Sequence, residues 1–281
     1  MNAEQDLFEM LFLSMENLSI QGAFALDICG TGGDGKNTFN ISTAAAIVCA
    51  TVGCKVVKHC GEAVTGNSGS SDVLKALGYN FHEGIETFNR TGFCAIHSVQ
   101  FNPLLSALKK PRRTLGRPTI INQLAPLLNP ARPAFRVMGT TLEGFTRETM
   151  TRLKSISERA WLISAVDGSD EVSTSCTTMV ADTYTAERNY SVHPEEWGYK
   201  FKDDDALKVS SPEESANVIR EVFVNRAHPQ QKAAVILNAA AGICVRSPGQ
   251  TYADAVTVAR YAIESGMVWA KWLKISGGWH K

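Results

Sequence analysis

A short apolar run, Phe24 to Cys29, opens into a loop with glycine at 30, 32, 33 and 35; an alanine-rich stretch, Thr43 to Gly53, then leads to a second apolar run, "CKVVKHC". No other feature constrains the fold as much. The first run is too short for a helix, and the alanine-rich stretch carries a Ser/Thr start and a Gly stop. Strand, glycine loop, helix and strand in that order form a βαβ unit, whose strands lie parallel beneath the crossover helix. The chain therefore reads as α/β.

The remaining segments extend this grammar. Leu7 to Leu18 has helical spacing and ends before a Gly break; Ser70 to Gly78 reads as a helix and Phe93 to Val99 as a strand. From Asn102 to Ala131 the helical spacing is interrupted by Pro and Gly, which predicts short helices. Ala134 to Thr140 and Ala160 to Gly168 read as strands around a helix near Leu142 to Ser157. "TTMVADTY" and "RNYSVHP" read as an edge strand pair, followed by three helices near Pro212 to Asn225, Pro229 to Ala241 and Ala253 to Ile275.

Composition excludes several classes. In 281 residues, 44% of them hydrophobic, there is enough apolar surface for a large core. Lys plus Arg and Asp plus Glu balance at 28 each, so no long-range positive field gathers a nucleic acid or an anionic membrane. The 7 cysteines contain no CxxC pair, which reads as reduced thiols without a structural zinc. With no basic leader pattern and no long apolar run, the expected location is the cytoplasm.

The glycine loop nearly meets two phosphate-loop patterns. Gly30, Gly32 and Gly35 fit GxGxxG, but no Asp or Glu occurs from Lys36 to Gly61 to take a ribose. Gly30 to Lys36 fits GxxxxGK, yet Asn37 stands where a metal-holding Ser or Thr is needed, and Asp34 sits inside the cradle. What survives both tests is an anion cradle of backbone N–H groups beside a helix start near Ser42 or Thr43, with Thr31, Asn40, Ser42 and Thr43 as further donors. A tight turn without a ligand is the alternative.

The second strand delivers Lys58 and His59 into another Gly/Ser/Thr/Asn loop. Adjacent parallel strands place such loops in one crevice, so two cradles suit a ligand with two phosphate groups. Asp170 and Glu171 follow a later strand as adjacent carboxylates; beside phosphates they suit Mg²⁺, and alone they read as a solvated acidic turn.

Taken together, "GTGGDGKNTFNIST", "KH" with "AVTGNSGSSDVLKALG", "RRTLGRPTIINQLAPLLNP", "DGSDEVS" and "ILNAAAGICV" resemble the anthranilate phosphoribosyltransferase family, whose architecture is similar to that of pyrimidine nucleoside phosphorylases. The resemblance implies a large domain with a mainly parallel central sheet flanked by helices, residues 23–100 and 132–281, plus a small, here shortened, all-helical domain, residues 1–22 and 101–131. It implies Mg²⁺-dependent transfer of phosphoribose from phosphoribosyl pyrophosphate to anthranilate by a homodimer, with two ions per site.

On the donor side it implies that Gly30, Thr31, Gly32, Gly33, Asp34, Gly35, Thr38, Asn40, Ser42 and Thr43 hold the diphosphate end, and that Lys58, His59, Ser68, Gly69 and Ser70 grip the rest. Ser42, Asp170 and Glu171 are the implied metal ligands, and Lys58, Asp34 and Arg112 the catalytic set. Gly30, Gly61, Asn102 and Arg112 fall on the acceptor side, with Arg112 facing the anthranilate carboxylate. Departures from the family pattern cluster there: Cys60 and Gly61 replace Gly and Asn, Glu62 replaces a basic residue, Asn102 replaces a His, and Ala125 replaces a Gly. A paralogue with another acceptor, a phosphorylase-like enzyme and a silent binding protein are the alternatives.

Overall fold

Strands made almost wholly of apolar residues, buried on both faces, are what a parallel sheet requires. β1 (Leu26–Gly30), β2 (Val56–Cys60), β3 (Phe93–His97), β4 (Phe135–Gly139) and β5 (Arg159–Ala165) are buried over most of their length, with Asp27, Lys58, His59, His97 and Arg136 among their polar members, and pair in parallel. β6 (Thr178–Asp182) and β7 (Asn189–Val192) close one edge antiparallel. The sheet runs β3-β2-β1-β4-β5-β6-β7 in this computed structural model, which describes residues 3–18, 20, 24–61, 68–115, 119–184 and 189–278. The chain builds outward from β1 to β3, then returns to the other side of β1. β1 and β4 therefore flank the switch point, where loops diverge and open a ligand crevice.

One face is covered by α2 (Ile41–Thr51) and α9 (Pro229–Arg246), both rich in alanine and buried over most of their length. Small side chains let α9 lie close to the sheet. At Gly242 a Cβ would come 2.6 Å from Ile28 Cδ1 and 2.9 Å from Cys49 Sγ. The other face carries α1 (Ala3–Leu13), α5 (Pro103–Leu115) and α6 (Ile120–Leu124), whose Phe8, Leu11, Leu105 and Leu124 share a core with Met138 and Leu162 of the sheet. The helical segments are thus fastened directly to the strands that build the crevice.

Several boundaries differ from the sequence reading. α1 ends at Leu13 rather than Leu18, because the Glu16 and Leu18 N–H groups donate to Phe101 and Pro130 instead of continuing the helix. α4 (Gly84–Thr91) is an eight-residue helix that the reading passed over. α3 (Ser70–Ala76), α7 (Arg147–Ile156) and α8 (Pro212–Phe223) fall within the expected spans. The single helix expected at Ala253 to Ile275 is two, α10 (Tyr252–Glu264) and α11 (Met267–Ser276), broken at Gly266, whose φ of 78° no right-handed helix accommodates. Among the described residues no helix is long and apolar enough to cross a membrane.

Gly242→Val drives branched carbon into Ile28 and Cys49, so it should lower the unfolding free energy by about 1–3 kcal/mol, the usual range for overpacking. Urea denaturation measures this directly.

Candidate active site

Three strand-end loops meet at the switch point. The loop after β1 turns through Gly32 and Gly33 at φ of 62° and 79°, a left-handed pair that needs glycine. The turn aims the Gly32 N–H at Asp170, whose Oδ2 accepts it at 2.7 Å. Asp170 reaches that position because the strands beneath it end without side chains. A Cβ on Gly139 would overlap the Asp170 carbonyl, and one on Gly30 would overlap its carboxylate. Next in the chain, Glu171 Oε1 accepts the Ser42 N–H at 3.3 Å, in the first turn of α2.

Lys58 is almost fully buried and carries the cationic charge of this centre. Its Nζ donates to the Ile28 carbonyl at 2.6 Å and to Ser42 Oγ at 3.3 Å, so Ser42 lies between Lys58 and Glu171. Burial, and next the charge of Asp34, push the Asp170 carboxyl up to about 7. Glu171 is raised well above the ordinary carboxyl range by burial and by Asp170, with Lys58 opposing. Like charges are crowded here without full compensation.

Such a donor set suits a hard cation. Ser42, Asp170 and Glu171 offer oxygen ligands only, and a cation here would relieve the crowding that raises both carboxyls. Among the described residues no group of three or more His, Cys, Asp or Glu side chains converges as a complete metal cage. A cation held by these three residues would leave part of its shell to water or a phosphorylated ligand, as is usual for Mg²⁺.

The remaining donor-side residues are spread along the same edge. Asn40 is the N-cap position of α2, and its Oδ1 accepts from Ser68 Oγ at 2.9 Å and from Ser215 Oγ at 3.0 Å. Thr43 is buried with an unpartnered hydroxyl in the first turn of that helix. Thr31 donates its N–H to the Gly139 carbonyl at 3.0 Å, and Ser70 Oγ accepts the Gly61 N–H at 3.1 Å beside Gly69, the N-cap of α3. Thr38 bridges to Lys208, which anchors the far end of the glycine loop. Gly35 turns at φ 73°.

Other candidates take different roles. Burial pushes the His59 imidazole down to about 4, with Asp27 opposing, so it is neutral and grips no anion by charge. Its backbone N–H donates to Asp27 Oδ1 at 3.1 Å, while Asn129 Nδ2 donates to Asp27 Oδ2 at 2.8 Å. Asn102 is buried: its Oδ1 accepts the Leu105 N–H at 3.0 Å and its Nδ2 donates to the Leu11 carbonyl at 2.9 Å. That carboxamide fastens α1 to the start of α5. Arg112 lies on α5, and its side chain is outside the described residues, as are Glu62 and residues 63–67 of the second loop.

Two contributors lacked a readable signal. Lys36, which completes the P-loop-like pattern, turns away from the cradle and donates to Asp167 Oδ2 at 2.6 Å, with Asp204 at 3.8 Å. It ties the glycine loop to the loop carrying Asp170. Ser215 reaches Asn40 from 175 residues away in sequence. Neither partner could be inferred from local spacing.

Known proteins share this fold. The family model described as "Glycosyl transferase family, a/b domain" matches residues 22–268. An anthranilate phosphoribosyltransferase from Albidiferax ferrireducens is 37% identical over 254 residues, covering 88% of this chain and 72% of the relative. The solved anthranilate phosphoribosyltransferase of Thermus thermophilus superposes with a TM-score of 0.84 at 29% identity, over 98% of this chain and 83% of that one. That of Saccharomyces cerevisiae, in complex with PRPP and Mg, gives 0.84 at 25% identity, over 98% and 78%. On sequence, fold and family model alike, this chain belongs to the anthranilate phosphoribosyltransferase family, phosphoribosyltransferases of the glycosyl transferase class.

Proposed function

We propose that the protein transfers the phosphoribosyl group of phosphoribosyl pyrophosphate to the amine of anthranilate, with Mg²⁺ at Asp170, Glu171 and Ser42. The observation that carries this reading is the convergence of the loops after β1 and β5 with Lys58 of β2 around Ser42. Family membership and the yeast relative bound to PRPP and Mg support it.

In this reaction the amine nitrogen forms a bond to C1 of the ribose. The C1–O bond to diphosphate breaks, the electron pair leaves with diphosphate, and an amine proton passes to solvent. Bound Mg²⁺ supplies neutralisation of the charge that develops on the leaving diphosphate. The chain's own residues hold and orient. The glycine loop and the positive end of α2 face the anion, and Lys58, fixed by Ile28 and Ser42, adds a charge that need not reorganise as the bond breaks. Arg112 on α5 takes the acceptor carboxylate, and the amine then lies against C1.

A second reading, the same donor site with another acceptor, is favoured by Asn102, whose carboxamide is occupied within the fold. Loss of anthranilate fluorescence on adding donor and Mg²⁺ supports the first reading. Stabilisation by donor with no turnover and no effect of anthranilate supports the second, and a folded protein that does neither overturns both.

Asp170→Asn with Glu171→Gln should cut kcat/KM by about 10²-fold or more while thermal stability holds or rises, since crowded charge is removed. Arg112→Ala should raise KM for anthranilate by about tenfold and leave that for the donor within about twofold, in steady-state kinetics.

The carboxyls also give a pH signature. Asp170 and Glu171 bind protons more tightly folded than unfolded, so their contribution favours the folded state at low pH and is lost as pH rises through the raised values. His59 acts oppositely, between about 4 and its ordinary 6.5, and is complete above that. Metal-free protein should therefore lose thermal stability from about pH 6.5 to about pH 8, and saturating Mg²⁺ should remove the decline. Calorimetry with chelator and with Mg²⁺ checks it.

A further inference from the structure

Asparagine at the N-cap of a helix ordinarily turns its side-chain oxygen onto the N–H groups of the first turn. Asn40 does not: as N-cap of α2 it makes no side-chain hydrogen bond to the helix. Its oxygen is engaged elsewhere. Ser215, fully buried in the first turn of α8, accepts the Asn40 N–H at 3.0 Å and donates its own hydroxyl proton to Asn40 Oδ1 at 3.0 Å. Ser68 donates to the same oxygen at 2.9 Å.

This pairing fixes which way the carboxamide faces. The Ser215 oxygen already accepts the backbone N–H, so its proton needs an acceptor in a place without water. Asn40 Oδ1 provides one, and the two Nδ2 protons lie on the opposite side of the carboxamide. The first-turn N–H groups of α2 are all engaged, on Phe39, Glu171 and Asn40 oxygens, so what the amino end of α2 still offers is the Nδ2 donors and the buried Thr43 hydroxyl, which lacks a partner. Without the Ser215 hydroxyl, Asn40 Oδ1 keeps Ser68 as a donor but loses the contact that fixes its side of the carboxamide, and Nδ2 is free to turn away.

We propose that Ser215 is a positioning residue for donor binding: it fixes the Asn40 carboxamide with Oδ1 turned to Ser215 and Ser68, so that Nδ2 stays available to a phosphoryl oxygen. The inference rests on the donor-binding reading above. Ser215 touches neither substrate nor metal and acts only through Asn40.

Calorimetric titration with phosphoribosyl pyrophosphate and excess Mg²⁺ tests it on wild type, Ser215→Ala, Asn40→Ala and the double variant. Ser215→Ala should weaken donor binding about tenfold, the equivalent of one oriented hydrogen bond, with kcat within about twofold of wild type. In the Asn40→Ala background it should cost nothing further, because its only route of action is gone. Donor affinity unchanged in Ser215→Ala, or the full loss repeated in the Asn40→Ala background, overturns the inference.

Should the Ala variant not fold, the isosteric pair Ser215→Thr and Ser215→Val isolates the hydroxyl. Thr should bind donor about tenfold more tightly than Val, and equal affinities overturn the inference. A folded wild type that takes up no donor overturns the donor-binding reading itself, and the role of Ser215 with it. That outcome is distinct from donor binding that is indifferent to Ser215.

Discussion

A carboxylate can sit over the carboxyl ends of parallel strands only if the strands beneath it present no side chain. Gly30 ends β1 and Gly139 ends β4, and Asp170 lies in the space that their Cβ atoms would fill. The seat places its carboxylate on the Gly32 N–H and, one residue on, sets Glu171 against the amino end of α2. Every other feature of the site is arranged around that approach. The glycine loop must turn left-handed to offer the N–H, α2 must begin where Glu171 can reach it, and Lys58 must enter from β2 to limit the negative charge.

The centre so formed is electrostatically unfinished. Burial raises Asp170 and Glu171, the charge of Asp34 adds to both shifts, and Lys58 opposes the rise at Glu171. A protein chain alone gains little from such crowding, since desolvated like charges cost stability. Under the proposed function the arrangement becomes favourable with a divalent cation and a phosphorylated ligand, because each would meet oxygens or donors already in place. Around the rim the ordering is finished without ligand. Lys36 joins the glycine loop to Asp167, outweighing the burial that would raise that carboxyl and leaving it lowered, and Thr38 pairs with Lys208. The loop edges are thus fixed and the charged centre is left open.

What could be read in the sequence follows from range. The βαβ unit, the glycine loop and the acidic pair are each encoded within a few neighbours, by apolar runs, by glycine and by adjacent carboxylates. α4 was not legible: its stripe of Ile85 and Phe88 is too short for periodicity to separate from a loop, although Gly92 closes it in a left-handed cap. The break at Gly266 was signalled by Ser-Gly, but apolar spacing on both sides suggested continuity. Asn102, His59, Lys36 and Ser215 needed the fold. Their roles depend on Leu11, Asp27, Asp167 and Asn40, partners that a linear pattern does not identify.

The two sides of the crevice are specified by different means, which bears on what each can tolerate. On the proposed donor side, the site is built largely from backbone, a helix end and strand-end glycines, all fixed by topology. A substitution there collides with backbone, as the overlap of a Gly139 Cβ with the Asp170 carbonyl illustrates. On the proposed acceptor side, recognition would fall to side chains on α5, a helix that packs with α1 and α6 on Met138 and Leu162. Asn102 has been absorbed into that packing, capping α5 and binding the Leu11 carbonyl, so a change at one position alters how α1 and α5 meet. Under the proposed function, acceptor choice is therefore coupled to how the helices seat on the sheet, whereas donor choice is set by the sheet itself.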